Sequence, residues 1–308
     1  MSERVCVYGS DHSPWVQTVL LALQHQGMPF DVIQFPISVS SYLRLGMVMP
    51  VCKWPDGSIH YDSFDIMAEI AARHKISNTI LTDREQALQD QSRLERFFIS
   101  YVLLRGRWGN KLRFVHAWAK TAPTHPNGVF TLLSHFSRAT MTMYFFSLIQ
   151  GGIWSQRLKK RPLYSQAFFC KELKYWSSRL GDRKYFGGEN PNYLDYAMLG
   201  QIQCIASGLT DGLFVLLQKQ SILVSWLERM HATIDNYPRM YSQRLFNEEI
   251  STLRSSKLGF FVFYLSVFCH LVLLPITILF LLHALLSRRK NPSRTTGKLN
   301  KTFSSSAR

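Results

Sequence analysis

The 29 residues from Leu258 to Leu286, LGFFVFYLSVFCHLVLLPITILFLLHALL, contain no Asp, Glu, Lys or Arg. Crossing the hydrocarbon core takes roughly 20 apolar residues, and an uncharged run of this length is rare in a water-soluble domain. The run predicts a single transmembrane helix over 258–286. Pro275 is expected to kink it, which membrane helices tolerate. Arg254 and Lys257 precede the run, while the stronger cluster Arg288-Arg289-Lys290 follows it. Taken literally, the positive-inside rule places the tail in the cytosol. Met1–Arg4, however, runs straight into a strand pattern, so no leader is expected to carry the preceding residues across. The reading is a tail anchor: a single-pass protein with its N-terminal body cytosolic and residues 287–308 as a basic tail. A mitochondrial outer membrane, an endoplasmic reticulum and a bacterial inner membrane all fit.

Charge points the same way. The net charge is +16, and no acid occurs from Arg96 to Lys171, a stretch holding twelve Lys and Arg. Such stretches seek phosphates of nucleic acid or of lipid. No helix-turn-helix, zinc-finger spacing or RNA-binding aromatic motif accompanies them, so no nucleic acid is expected and membrane lipids are the simpler partner. The five cysteines (Cys6, Cys52, Cys170, Cys204 and Cys269) are odd in number and form no CxxC pair. That argues against a disulfide framework and a zinc site and for a reducing compartment. Most are expected in the core, and no metal is expected.

The first 74 residues alternate strand and helix patterns. Arg4–Tyr8 is a β-branched run ending at Gly9-Ser10. Ser13 then reads as an N-cap with Pro14 at the first helical position; Val16, Val19, Leu20 and Leu23 carry that helix toward Gly27. Phe30–Phe35 reads as a second strand, and Tyr42–Gly46 as a short helical piece after a serine-rich loop. Pro55-Asp56-Gly57 joins the strands Pro50–Trp54 and Ser58–Tyr61 as a hairpin. A helix from Ser63 to about His74 closes the unit. The order βαβ, short helix, ββα implies a four-stranded mixed sheet with helices. Beyond it the pattern is helical over 84–119, 130–149, 166–180, 192–207 and 221–233, with a loop at 121–128. Asn192 with Asp195 forms a capping pair, and Leu194, Ala197, Met198, Ile202 and Ile205 mark that helix as the centre of the second domain.

Three stretches resemble the glutathione transferase superfamily, over about residues 4–245. GSDHSPWVQTVLLAL resembles the start of the first helix in serine-class members. MPVCKWPDGSIHYDSFDIMAEIAARH resembles their cis-proline strand, hairpin and acid-Ser helix start. YFGGENPNYLDYAML is similar to their capped central helix, with Asn192 at the usual Ser or Thr cap. The resemblance implies a thioredoxin-like N-terminal domain (1–80) and an all-α glutathione transferase C-terminal domain (84–245), followed here by the transmembrane helix. It leaves a homodimer open.

The resemblance implies glutathione as co-substrate, with Ser13 as the catalytic donor to its thiolate. The physics agrees: a hydroxyl at a helix N-terminus, with the positive end of the helix dipole, stabilises an anionic sulfur. Tyr8 and Ser10 are rival donors. Pro50 is expected to be cis, freeing the amide and carbonyl of Met49 to pair with the peptide in strand-addition mode. Ser63 suits the γ-glutamyl carboxylate and Asp62 its ammonium group. Asp stands where Glu is commoner, shortening the reach. No Lys precedes Pro50; Lys53 lies beyond it and points elsewhere. His12 reads either as a contributor near the site or, more simply, as a solvent-exposed turn residue. Arg105, Trp108 and Phe114 are candidates for a second pocket taking a small apolar electrophile. The alternative is a non-catalytic adaptor of the metaxin or ganglioside-induced-differentiation kind. A glutathione-dependent reductase would require Cys where Ser13 stands.

Overall fold

In the computed structural model the described residues are 4–10, 12–33, 43, 48–74, 84–103, 112, 115–116, 118–119, 128–158, 166–206, 211–238, 240–246 and 255–290. The expected helical piece at 42–46 lies outside them except for Leu43. So do the loop 121–127, the second-pocket candidates Arg105, Trp108 and Phe114, and the tail from 291 onward.

Strands β1 (Val5–Tyr8), β2 (Phe30–Ile33), β3 (Val51–Lys53) and β4 (Ile59–Tyr61) form one sheet in the order β2-β1-β3-β4. β1 is parallel to β2 and antiparallel to β3, which pairs antiparallel with β4. The parallel step requires a crossover, supplied by α1 (Pro14–His25). The β3–β4 step is the PDG hairpin: Gly57 takes the positive φ of 86° that the turn demands, and Asp56 Oδ1 accepts hydrogen bonds from both the N–H and the hydroxyl of Ser58. Those bonds and Arg73 hold the Asp56 carboxyl well below the usual carboxylate range. Arg73 reaches across from α2 (Ser63–His74) and lies over the Trp54 ring, fixing hairpin to helix. Val5, Val7 and Cys52 face α1 and α2 in the core, because strand side chains alternate.

The remaining body is helical: α3 (Arg84–Leu103), α4 (Gly128–Leu158), α5 (Gln166–Leu180), α6 (Tyr193–Cys204), α7 (Asp211–Gln218) and α8 (Ser221–Thr233). A 3-10 turn follows at Tyr241–Leu245. Helix α4 extends past the expected end at 149, through Gly151-Gly152, which costs only ~1 kcal/mol per glycine. Helix α7 has eight residues of mostly continuous apolar sequence, too short to carry a helical period of its own. Arg93 makes a bidentate ion pair with Glu172, and Arg179 pairs with Asp90, tying α3 to α5. Every residue of α6 is buried. It packs along α1, so sheet domain and helical domain share one core.

The single helix expected over 258–286 does not form. The chain instead makes α9 (Lys257–Val272) and α10 (Leu274–Lys290), with an angle of 91° at Leu273. Pro275 explains the break: it has no N–H to bond the carbonyl of Leu271, and its ring crowds the preceding turn, so it serves as an early residue of a new helix. Among the described residues no single helix is long and apolar enough to cross a membrane; only the two helices of this bent pair taken together have the length and apolar composition of a span. Of the cysteines, Cys52 and Cys204 are buried, Cys6 and Cys170 half-buried, and Cys269 exposed on α9.

Candidate functional site

Ser13, Met49-Pro50 and Asp62-Ser63 meet at one corner, and Gly9 is the reason. Its φ of 154° suits glycine, and a Cβ there would sit 2.6 Å from Val16 Cγ2 and 3.3 Å from Met49 Cβ. The end of β1 therefore passes directly between the first turn of α1 and the Met49–Pro50 segment. That Met49–Pro50 peptide is cis. The Pro50 carbonyl accepts the N–H of Asp62 at 3.1 Å, drawing the start of α2 to the same place. Two helix N-termini, those of α1 and α2, thus adjoin one cis-proline edge.

Ser13 is buried in extended conformation at the N-cap of α1, yet its side chain makes no capping hydrogen bond. Its hydroxyl is not consumed by the helix, as a plain cap's would be. Ser10 shapes the turn instead: its carbonyl accepts the N–H of Ser13, and its hydroxyl accepts the N–H of His12. Tyr8 shares the sheet face of Cys6 and Val51, away from α1 and α2. Burial raises its pKa, as it raises that of Cys6. The backbone of Met49, unlike that of Pro50, makes no hydrogen bond among the described residues. A peptide-like ligand can pair there.

Asp62 adopts a left-handed φ of 76°, sparsely populated for a residue other than glycine and typical of functional corners. Its Oδ1 accepts the N–H of Phe64 at 3.0 Å, so Asp62 caps α2 with one carboxylate oxygen. Ser63 is buried beside it, its hydroxyl 3.5 Å from the same oxygen. Lys53 is exposed on the β3 position opposite Cys6, away from the corner.

His12 corrects the sequence reading. It is only 4% exposed, because its ring stacks on Tyr241 and tilts against Trp118, both at 5.5 Å between centroids. Its carbonyl accepts the Cys204 thiol from the end of α6. Trp118 belongs to a second apolar cluster with Met141, Tyr144, Phe263 and Leu281, and Met49 packs against that cluster as well as against the main core. From α10, the ring of His283 lies 2.8 Å from the Leu43 carbonyl. The helices from the C-terminal region therefore wall the corner on its apolar side.

Helix α6 backs both site helices. Gly200 lets it approach α1 so closely that a Cβ would lie 2.4 Å from the Pro14 carbonyl oxygen. Tyr193, its first residue, packs edge-on against Phe64 of α2. Sequence reasoning missed Gly9, Gly200, Trp118 and Tyr241 as parts of the site. A lone glycine inside the most apolar helix was the usable signal for Gly200; Trp118 and Tyr241 carry no local signal. An open cleft of about 910 Å³ lined by Arg179, Arg183, Lys184 and Arg229 lies elsewhere and shares no residue with the corner.

The wall is sensitive to acid. His231 of α8 lies 2.7 Å from the Ser242 hydroxyl, next to Tyr241, and burial pulls its pKa down to about 4. In the unfolded chain the ring titrates near 6.5. Between those values the unfolded state binds more protons, so stability is lost as pH falls from about 6.5 to about 4. The expected loss at pH 4.5 is ~2–3 kcal/mol relative to neutral pH. Urea unfolding checks it: His231→Gln shrinks the difference between the two pH values by that amount.

Residues 169–230 match the family model described as Glutathione S-transferase, C-terminal domain. No curated protein matches the chain. Among solved structures, the chain is similar to a glutathione S-transferase from Pseudomonas fluorescens at 16% identity and TM-score 0.40, over 76% of this chain and 96% of that one. A delta-class glutathione transferase from Nilaparvata lugens gives 16% identity and 0.40, over 85% and 99%. A glutathione transferase from Burkholderia graminis, solved with two glutathione molecules bound per subunit, gives 14% identity and 0.41, over 76% and 89%.

Proposed function

We propose that this chain is a membrane-associated, glutathione transferase-like protein that binds glutathione at the Gly9 corner and conjugates it, through its sulfur, to a small apolar electrophile. The observation that carries this reading is the convergence of an uncommitted Ser13, the cis Met49–Pro50 edge and the Asp62-Ser63 helix start at one place. Met49 pairs with the cysteinyl backbone. Ser63 and the first N–H groups of α2 hold the γ-glutamyl carboxylate, since a helix N-terminus carries partial positive charge. The Asp62 carboxylate, at the start of α2, supplies the negative charge suited to the ammonium group. Ser13 donates to the thiolate, which lowers the thiol pKa and supplies the nucleophile near neutral pH.

Retention of the full chain on immobilised glutathione tests the reading. Ser63→Ala is expected to weaken binding about tenfold, the loss of one hydrogen bond to a charged group. Ser13→Ala is expected to keep binding while raising the pKa of the bound thiol by about one unit, read from thiolate absorbance against pH. A protein that does not bind glutathione at millimolar concentration overturns it.

One observation favours a second reading, a non-catalytic adaptor held at a membrane. The cluster of Trp118, Phe263 and Leu281 packs against Met49, covering apolar surface next to the proposed glutathione edge. Glutathione binding without turnover of any apolar electrophile selects that reading. The cytosolic side of the membrane is the placement proposed for the body under both readings, because its free cysteines suit a reducing compartment.

A further inference from the structure

Helix α9 is inside out for water. The residues it turns toward α4 are Gly259, Phe263, Ser266 and His270, whereas Leu258, Phe261, Leu265, Phe268 and Leu271 are exposed. A water-facing helix buries its large apolar stripe and shows polar groups; a lipid-facing one does the reverse, with small and polar residues as the helix–helix glue. The glue is explicit. Gly259 lets α9 approach until a Cβ would stand 2.4 Å from His135 Nε2. His270 Nδ1 lies 2.6 Å from the Ser266 carbonyl, and its Nε2 lies 2.8 Å from the Thr140 hydroxyl of α4.

The elbow is built for the same solvent. Breaking the helix at Leu273 strips the His270 carbonyl of its helical donor, and the Thr277 hydroxyl supplies a replacement at 3.1 Å. Unsatisfied backbone is not tolerated against lipid. Ile276, Ile278, Leu279 and Leu282 continue the exposed apolar surface along α10. Lys257 begins the pair and Arg288-Arg289-Lys290 ends it, so basic residues sit at both ends of the surface. At 91° neither arm suffices to span: α9 is 16 residues and α10 is 17, about 24–26 Å each against a core of ~30 Å.

We infer that the α9–α10 elbow seats in one leaflet of an anionic bilayer without crossing it, leaving both chain termini on the same side. This rests on the membrane association proposed above and replaces the spanning anchor with a monotopic one. The test uses the full chain with a protease-cleavable tag at each end, in sealed microsomes with the cytosolic face outward. Added protease is expected to remove both tags; removal of the N-terminal tag alone means that the pair spans, and overturns the one-leaflet seat. The purified chain is then floated with phosphatidylcholine vesicles with and without phosphatidylglycerol. Binding at least about tenfold stronger with the anionic lipid is expected from four basic residues, together with loss of Cys269 labelling by an impermeant maleimide. Failure to float, or equal binding to both vesicles, overturns the proposal. Retention on glutathione, measured on the same preparation, separates such a failure from failure of the glutathione reading.

Discussion

Asp195→Ala is expected to destabilise the protein by ~4–5 kcal/mol, a large share of the ~5–15 kcal/mol that holds a typical domain folded. The carboxylate is fully buried and meets four donors. Oδ1 accepts the N–H of Phe186 and the indole N–H of Trp226, at 2.8 and 2.9 Å; Oδ2 accepts the N–H groups of Gly187 and Asn192, at 3.0 and 2.9 Å. Asn192 answers by accepting the N–H of Leu194 and of Asp195, closing the capping box. Alanine leaves all four donors buried and unpaired, each at ~1–3 kcal/mol, with part recovered by relaxation and by the removal of a desolvated charge. Asp195→Asn keeps the shape but turns an amide donor toward N–H groups, and is expected to cost about half as much. Urea unfolding of the two variants separates the donors' loss from the loss of charge. Burial pushes the Asp195 carboxyl up despite its donors. A raised carboxyl contributes stability at acid pH that is lost as pH rises through its folded pKa, so Asp195 does not drive acid unfolding. His231 has the opposite sign.

That capping pair was legible because both partners are local: an Asn and an Asp three residues apart, before an apolar run, have few other uses. The same holds for Pro14 after Ser13 and for Pro55-Asp56-Gly57, where backbone chemistry fixes a start or a turn. The order of strands and helices followed from such punctuation. What was not legible depends on partners distant in sequence. His12 looks like a turn histidine until Trp118 and Tyr241, over 100 residues away, enclose it. The 258–286 run is apolar all round, so its composition cannot report which face α4 covers, and Pro275 permits anything from a kink to a corner. The polar residues inside it were the missed clue: Ser266 and His270, four apart, mark the buried face of α9, and Thr277 is buried just beyond the break.

Gly200→Ala is expected to leave the protein folded yet reduce the proposed glutathione transfer about a hundredfold, because of which atom is in the way. Adding a methyl in a helix interior gains ~1 kcal/mol of propensity, while overpacking costs ~1–3 kcal/mol; the net loss of stability is ~0–2 kcal/mol. The obstruction is the Pro14 carbonyl oxygen at 2.4 Å, with Thr18 Oγ1 at 2.8 Å behind it. A side chain can swing aside, but a carbonyl in the first turn of α1 moves only with the turn. Ser13 is the residue before Pro14, so relief of the clash displaces the proposed sulfur-stabilising hydroxyl relative to the Met49–Pro50 edge. A shift of about 1 Å in a reacting group is worth ~10²-fold in rate. Because the obstruction is backbone, adding Thr18→Ala to Gly200→Ala is expected to recover little, and it also removes the Thr18 hydroxyl's bond to the Pro14 carbonyl. Turnover and urea unfolding measured on both variants decide it. Full activity in Gly200→Ala sinks the claim that α6 positions Ser13, whereas lost turnover with glutathione retention intact places the damage at the sulfur rather than at the γ-glutamyl end.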